Sequence, residues 1–401
     1  MVTRKAWAAL GGFVVVAAAA GAIVVATSGG GAGSQRIHVS DGDGCAPGWA
    51  VSGSGRTVFD VQNTSPHTVF SVQLINAANA KVYGKLNMVA PGTDVPLDVL
   101  LPPGRYSFHC LGSDGYTYDS KVGDVRGPAV SAARSLTPVS PLELAEAMQT
   151  YRVSLKPVMA QLVVDTDRLT NAVREGRLAR ARALWLPAHL DYARLGVAYG
   201  TFGKFNDEID GRPLGLVQGV HDPQFQGFLR LEYGLWHGQS RQELTPVATA
   251  LGLAVHTVAR QFQTFQTLNW TNTDLPLRAH EILENTLQFE LTGETNEGSN
   301  TNLATAWASA QGESLALDAL KPLLRRRDPV LLAGATTATT RLAASLRAYE
   351  RPRGAWTGVS SLSTREREQL DGAMSKLLEQ LEQIPGELEL QLATPSGADN
   401  D

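Results

Sequence analysis

Charge is scarce in this chain. Acidic and basic side chains make up 18% of 401 residues, below the roughly 25% usual in soluble domains. With 39 acids against 35 bases the formal net charge is −4, and no concentrated basic face is visible, which argues against duplex nucleic acid as a partner. The longest basic run, Arg325-Arg326-Arg327, follows a helical pattern and sits where a helix C-terminus favours cations. No glycine loop followed by Lys and Ser or Thr is present, and no Gly-x-Ser-x-Gly elbow, so phosphoryl and acyl transfer have no support. Cysteine is limited to Cys45 and Cys110.

What the chain does have is 43% hydrophobic residues, enough to bury real cores over a length that suggests about two or three domains. Arg4 and Lys5 precede an uncharged, Val- and Ala-rich stretch over residues 7–27. A bilayer span takes about 20 such residues, and flanking positive charge keeps its own side in the cytoplasm. An uncleaved anchor is favoured over a cleaved signal. Either way the remainder is expected in the cell envelope, outside the cytoplasm. Residues 28–35 form a Gly-rich spacer. Two cysteines in one region of an exported chain read by default as a disulfide, worth about 4 kcal/mol for a loop of that length.

From residue 36 to 126 the pattern has period two, with turn residues between short runs. Phe70, Val72 and Leu74 fall on one face, and Tyr106, Phe108 and Cys110 on another. About six or seven strands of this kind suggest a small all-β Greek-key sandwich. A linker over 127–140 follows, and then the period changes to 3.6. Ser140-Pro141-Leu142-Glu143 is a strong helix start, and Asp328-Pro329 and Ser363-Thr364-Arg365-Glu366 repeat the device. Residues 141–392 are expected to form an all-α, bundle-like domain of about eight helices, with 393–401 a frayed tail.

Several metal patterns can be tested by spacing. A blue-copper site needs a second His shortly after its Cys; the next after Cys110 is His189, so that reading fails, and His67 reads as a solvated turn residue. His280-Glu281-Ile282-Leu283-Glu284 nearly spells the zinc-protease helix, but the closing His is a Glu, and a surface pair is the plainer reading.

The most distinctive run is Gly227-Phe228-Leu229-Arg230-Leu231-Glu232-Tyr233-Gly234-Leu235-Trp236, preceded by Asp222-Pro223. Here the chain resembles the EfeO/EfeM proteins of bacterial ferrous-iron uptake, whose helical part is the imelysin (M75 peptidase-like) domain. That family carries Gly-Phe-His-Arg-Ile/Leu-Glu, with His and Glu as presumed metal ligands. Leu229 stands at the His position, while Glu232 keeps the Glu. A Tyr-Glu-Arg-Ile-Glu-Pro segment of the family corresponds to Tyr192-Ala193-Arg194-Leu195-Gly196-Val197, so Ala193 and Gly196 replace glutamates. Its Ser-His-Thr-Asp-Leu corresponds to Ser299-Asn300-Thr301-Asn302-Leu303. The N-terminal part resembles the family's cupredoxin-like domain through Cys45, Asn63-Thr64-Ser65, Ala90-Pro91-Gly92, Leu101-Pro102-Pro103-Gly104 and Cys110, with Phe70 and Val72 where acids are frequent.

The resemblance implies an exported binding or accessory component of an iron-uptake system, with iron as cargo and an iron permease or haem peroxidase as partners. A metal site here would rest on Glu232, with His221 or His237 as substitute ligands. The plainer alternative pairs Glu232 with Arg230 or Arg194, and places Phe228, Tyr233, Trp236, Phe262, Phe265 and Trp270 in the core. A paralogue that has lost metal binding is the competing function. A metallopeptidase is discouraged, since without the His no candidate keeps the ligands that hold a hydrolytic water.

Overall fold

The computed structural model describes residues 34–40, 44–51, 53–131, 133–196, 202–264 and 271–389. The apolar stretch over 7–27, the tail, Phe265 and Trp270 lie outside them. Among the described residues no helix is long and apolar enough to cross a membrane.

The first unit is a β-sandwich. One sheet orders its strands β2 (Gly44–Cys45), β1 (Ser34–Ser40), β3 (Gly55–Asn63), β6 (Asp94–Leu101). The other orders β5 (Val82–Val89), β4 (Val69–Asn76), β7 (Gly104–Leu111), β8 (Thr117–Asp119), with β9 (Gly123–Val125) on β7. β1 and β3 run parallel, a departure from the antiparallel Greek key that strand alternation alone cannot reveal. Trp49, Phe59 and Phe108 meet edge to face with centroids 5.1–6.2 Å apart, a favoured aromatic geometry. The Cys45–Cys110 disulfide joins the two sheets across this core, with Cα atoms 5.6 Å apart.

Alternation predicts one wet face for β4 and β7. Instead Ser71, Gln73, Ser107 and His109 are buried along with Val72, Leu74, Phe108 and Cys110, whereas Phe70 is 39% exposed. At Gln73 the reason is tertiary: Glu389, far along the chain, pairs with Lys85 and accepts a 3.1 Å bond from Gln73. Ser107 and His109 are hydrogen-bonded at 3.3 Å, and the other ring nitrogen of His109 lies 2.7 Å from Asp119 Oδ1. Burial holds the His109 imidazole down at about 4.

The helical unit begins at α1 (Pro141–Arg174), where Ser140 and Glu143 form a reciprocal capping box. Arg327, at the end of α7 (Asn302–Arg327), donates to the carbonyls of Thr137 and Pro138 and to Glu143, tying the linker to the bundle. α2 (Leu178–Arg194) and α5 (Arg241–Thr264) pack on α1, and α8 (Pro329–Arg347) and α9 (Thr364–Leu381) follow α7 in turn. Asp328 caps α8, and Ser363 with Glu366 boxes α9. Short helices α3 (Phe205–Asp210) and α4 (Gly227–Trp236) lie between α2 and α5. α6 (Asp274–Asn285) continues into a π-helical turn, Thr286–Glu290, and the four-residue α10 (Ile384–Glu387) closes the bundle.

Candidate functional site

The helical core is mostly apolar, and one of its polar places gathers an imidazole and several acids beside a cavity. His189 lies on the same face of α2 as Trp185, which stacks on it at 4.7 Å and donates its own indole N–H to Phe228 O at 2.9 Å. Only 3% of His189 is exposed, a costly position for a polar ring unless it is partnered. Its Nε2 lies 3.1 Å from Asp210 Oδ1 and its Nδ1 3.4 Å from Thr305 Oγ1.

Backbone geometry brings the acids to it. Asp210 ends α3, and α4 starts against that end at Gly227 (φ +82°), where an added Cβ would stand 2.2 Å from Ile209 O. α4 then carries Glu232 inward. Its Oε1 accepts the backbone N–H of Ser299 at 2.7 Å and of Glu297 at 3.2 Å. Gly298 lets this turn approach Trp236, since a Cβ there would come within 2.6 Å of that side chain. The π-helical turn after α6 carries Glu290, whose carboxylate accepts from Thr295 Oγ1 at 2.7 Å and Asn302 Nδ2 at 2.9 Å. Such turns recur at functional sites. Asn302, Thr305 and Ser309 share one face of α7, and the last two line the cavity.

These elements surround a cavity of about 220 Å³ lined by His189, Ala193, Asp207, Asp210, Arg212 and Glu290, among others. Burial pushes Glu290 up to about 7, although His189, Thr295 and Asn302 pull the other way. Burial likewise pushes Glu232 up to about 7 against its Ser299 bonds and His189. For His189 burial favours the neutral ring, but Asp210, with Glu290 and Glu232 behind it, outweighs that and raises the imidazole above its ordinary value. The site is therefore a cluster of acids around one imidazole whose proton affinity they raise, open on one side to a polar cavity.

Glu232 belongs to this cluster's charge but is not among the residues lining the cavity. Neither arginine pairs with it: Arg230 donates to Gln239, and Arg194 to Asp191 and Gln311. His221 and His237 are not brought to Glu232. Both are exposed and gather on Tyr233, His237 stacked at 4.2 Å and His221 edge-on at 6.2 Å, because Tyr233 points about 100° around the helix from its neighbour. His221 borders a second cavity of about 350 Å³ with Arg230 and Asp222. There both Asp222 oxygens are taken by backbone N–H groups of Gln218 and Gln224. Leu229 is fully buried in the core. His280 and Glu284 stand 3.7 Å apart, and no third His, Cys, Asp or Glu joins any such pair as a metal cluster among the described residues. His67 is exposed, and Phe228 and Phe262 are core.

Sequence reasoning missed His189, Asp210 and Glu290 as site residues. A signal existed for the first: a lone imidazole on the buried Ala181, Trp185, Ala188, Tyr192 face of α2.

The class that the fold and site define is an all-helical domain with a polar cleft, joined to a β-sandwich, and the comparisons narrow it. The chain belongs to the imelysin family of M75 peptidase-type domains, whose pattern matches residues 147–384. Along nearly its whole length it is similar to the iron uptake system component EfeO of Escherichia coli strain K12 and of Shigella flexneri. Each is 26% identical over 357 residues, covering 88% of this chain and 91% of the relative. The EfeO/EfeM resemblance thus extends through the sandwich as well as the bundle. An imelysin-like protein from Psychrobacter arcticum 273-4 shares the fold, with a TM-score of 0.51 and 13% identity over 65% of this chain and 99% of that one.

Proposed function

We propose that this protein is an exported, non-enzymatic component of an Efe-type iron-uptake system that holds iron as cargo in the helical domain. The observation that carries the reading is the convergence of Asp210, Glu290 and His189 on one cavity, with Glu232 adding charge behind them. Carboxylate and imidazole are the donors iron takes, and the relatives that share nearly the full length are iron-uptake components by name. The sandwich fits the cupredoxin-like expectation for such a component. An iron permease or a haem peroxidase of the same system is the partner this role calls for, and the stretch over residues 7–27 is the export signal or anchor it needs. Catalysis is not part of the reading: Leu229 removes the ligand that a His-x-x-Glu hydrolytic centre requires.

A specific observation favours a second reading, a paralogue that has lost metal. Leu229, Ala193, Gly196 and Asn302 are all neutral where the family motifs carry ligands. Equilibrium dialysis against excess ferrous iron under argon separates the two. The cargo reading expects bound iron that falls at least tenfold in Asp210→Asn/Glu290→Gln and is unchanged in His221→Ala/His237→Ala. Iron retention equal in all three proteins would refute the site, and none in the wild type would favour the paralogue.

A further inference from the structure

The donors around the cavity are largely engaged before any cargo arrives. Both Glu290 oxygens accept hydrogen bonds, and His189 has Asp210 on one nitrogen and Thr305 against the other. Among the described residues, no three His, Cys, Asp or Glu side chains stand where one ion could be shared. A hard cation with octahedral demands would find one or two free carboxylate oxygens here and would need the rest from elsewhere. The cavity is also far too large for a naked ion: about 220 Å³, against the ~30 Å³ of one water.

Its rim carries both signs of charge. Arg212 is exposed beside Asp207 and Asp210, with its guanidinium carbon 3.5 Å above the Phe289 ring. A flat cation held on an aromatic face presents its edge donors to a carboxylate arriving in the cavity. Asn285, Thr286 and Ser309 add neutral hydrogen-bonding groups around the same space.

From this combination we infer that the cavity, read as the cargo site, takes iron already wrapped in a small carboxylate chelator. The metal's open positions face Asp210 and Glu290, and a free carboxylate of the chelator faces Arg212. The inference rests on the cargo reading but makes a separate claim about the form in which iron enters.

The test is calorimetric titration of the full chain under argon with ferrous iron, alone and with one equivalent of nitrilotriacetate. A site for the bare ion must bind more weakly when the chelator lowers free iron. A site for the chelate must bind more tightly, by at least tenfold, and native mass spectrometry must show protein, iron and chelator in one complex. Arg212→Gln should weaken chelate binding about tenfold and leave bare-ion binding no weaker. Weaker binding with chelator, or a complex lacking it, overturns the inference and leaves the cargo reading standing. Binding of neither form overturns both.

Discussion

The two units of this chain differ in what they bury. The sandwich interior is aromatic, aliphatic and closed by a disulfide, and its buried polar residues are Asn63, Ser65, Ser71, Gln73, Asn76, Ser107 and His109, none of them acidic. The bundle buries Asp191, Glu232, Glu290 and Glu313, together with His189 and Arg278. Glu313 is fully buried with neither carboxylate oxygen hydrogen-bonded, and burial alone raises it well above the ordinary value. Buried acids destabilise a fold unless they are paired or protonated. One unit thus buries no acid, and the other bears the cost of burying four.

The largest expected effect lies in the sandwich. Cys110→Ser opens a link that spans 65 residues, and loss of a native disulfide costs about 2–5 kcal/mol. Denaturant melts with a probe in each unit should show the sandwich transition shift by that much. An unchanged midpoint would remove the disulfide from the comparison.

The next effect concerns Gly196, which lies at φ +63° where a Cβ would come within 2.7 Å of both Ile282 Cδ1 and Tyr151 Oη. Returning the family's glutamate there forces a left-handed side chain into a filled space, at an expected cost of about 2–4 kcal/mol. Ala193 lines the cavity, so Ala193→Glu should cost less than half as much in the same melts. Equal costs would mean that the two positions are not distinguished in the way the structure describes.

The smallest effect is a pH slope. Glu290 is pushed from 4.5 up to about 7, so between those values the folded protein holds a proton that the unfolded chain has released. Stability of the iron-free protein should then be full below pH 4.5 and fall as pH rises through about 7. Glu290→Gln cannot ionise and should flatten that fall by about 1–2 kcal/mol, with Glu232, Asp191, Glu313 and His189, all raised by the fold, supplying the remainder. A slope that is unchanged in Glu290→Gln would show that folding does not shift this carboxyl's titration.

What the sequence made legible follows the range of the interactions. The capping boxes at Ser140 and Ser363 and the Asp328 cap were readable because each is complete within four residues. The burial of Gln73 on the outer face of β4 was not, since its partner Glu389 lies 316 residues away. The site behaves in the same way. Glu232 stood out through its local motif, while His189, Asp210 and Glu290 come from α2, α3 and a π-helical turn that no period describes. His221 and His237 were near in sequence to Glu232, but one ends a separate 3₁₀ turn and the other follows α4, and both gather on Tyr233. Asn302, marked only as a lost acid, proved to be the amide that holds Glu290.

The central claim is that iron rests in the acidic cavity of the bundle and not in the sandwich or on the surface histidines. Anomalous diffraction at the iron absorption edge, from crystals of the iron-loaded full chain, tests it directly. The account predicts one principal peak within the cavity bordered by His189, Asp210 and Glu290. A principal peak at His221 and His237, at His280 and Glu284, or inside the sandwich would contradict it.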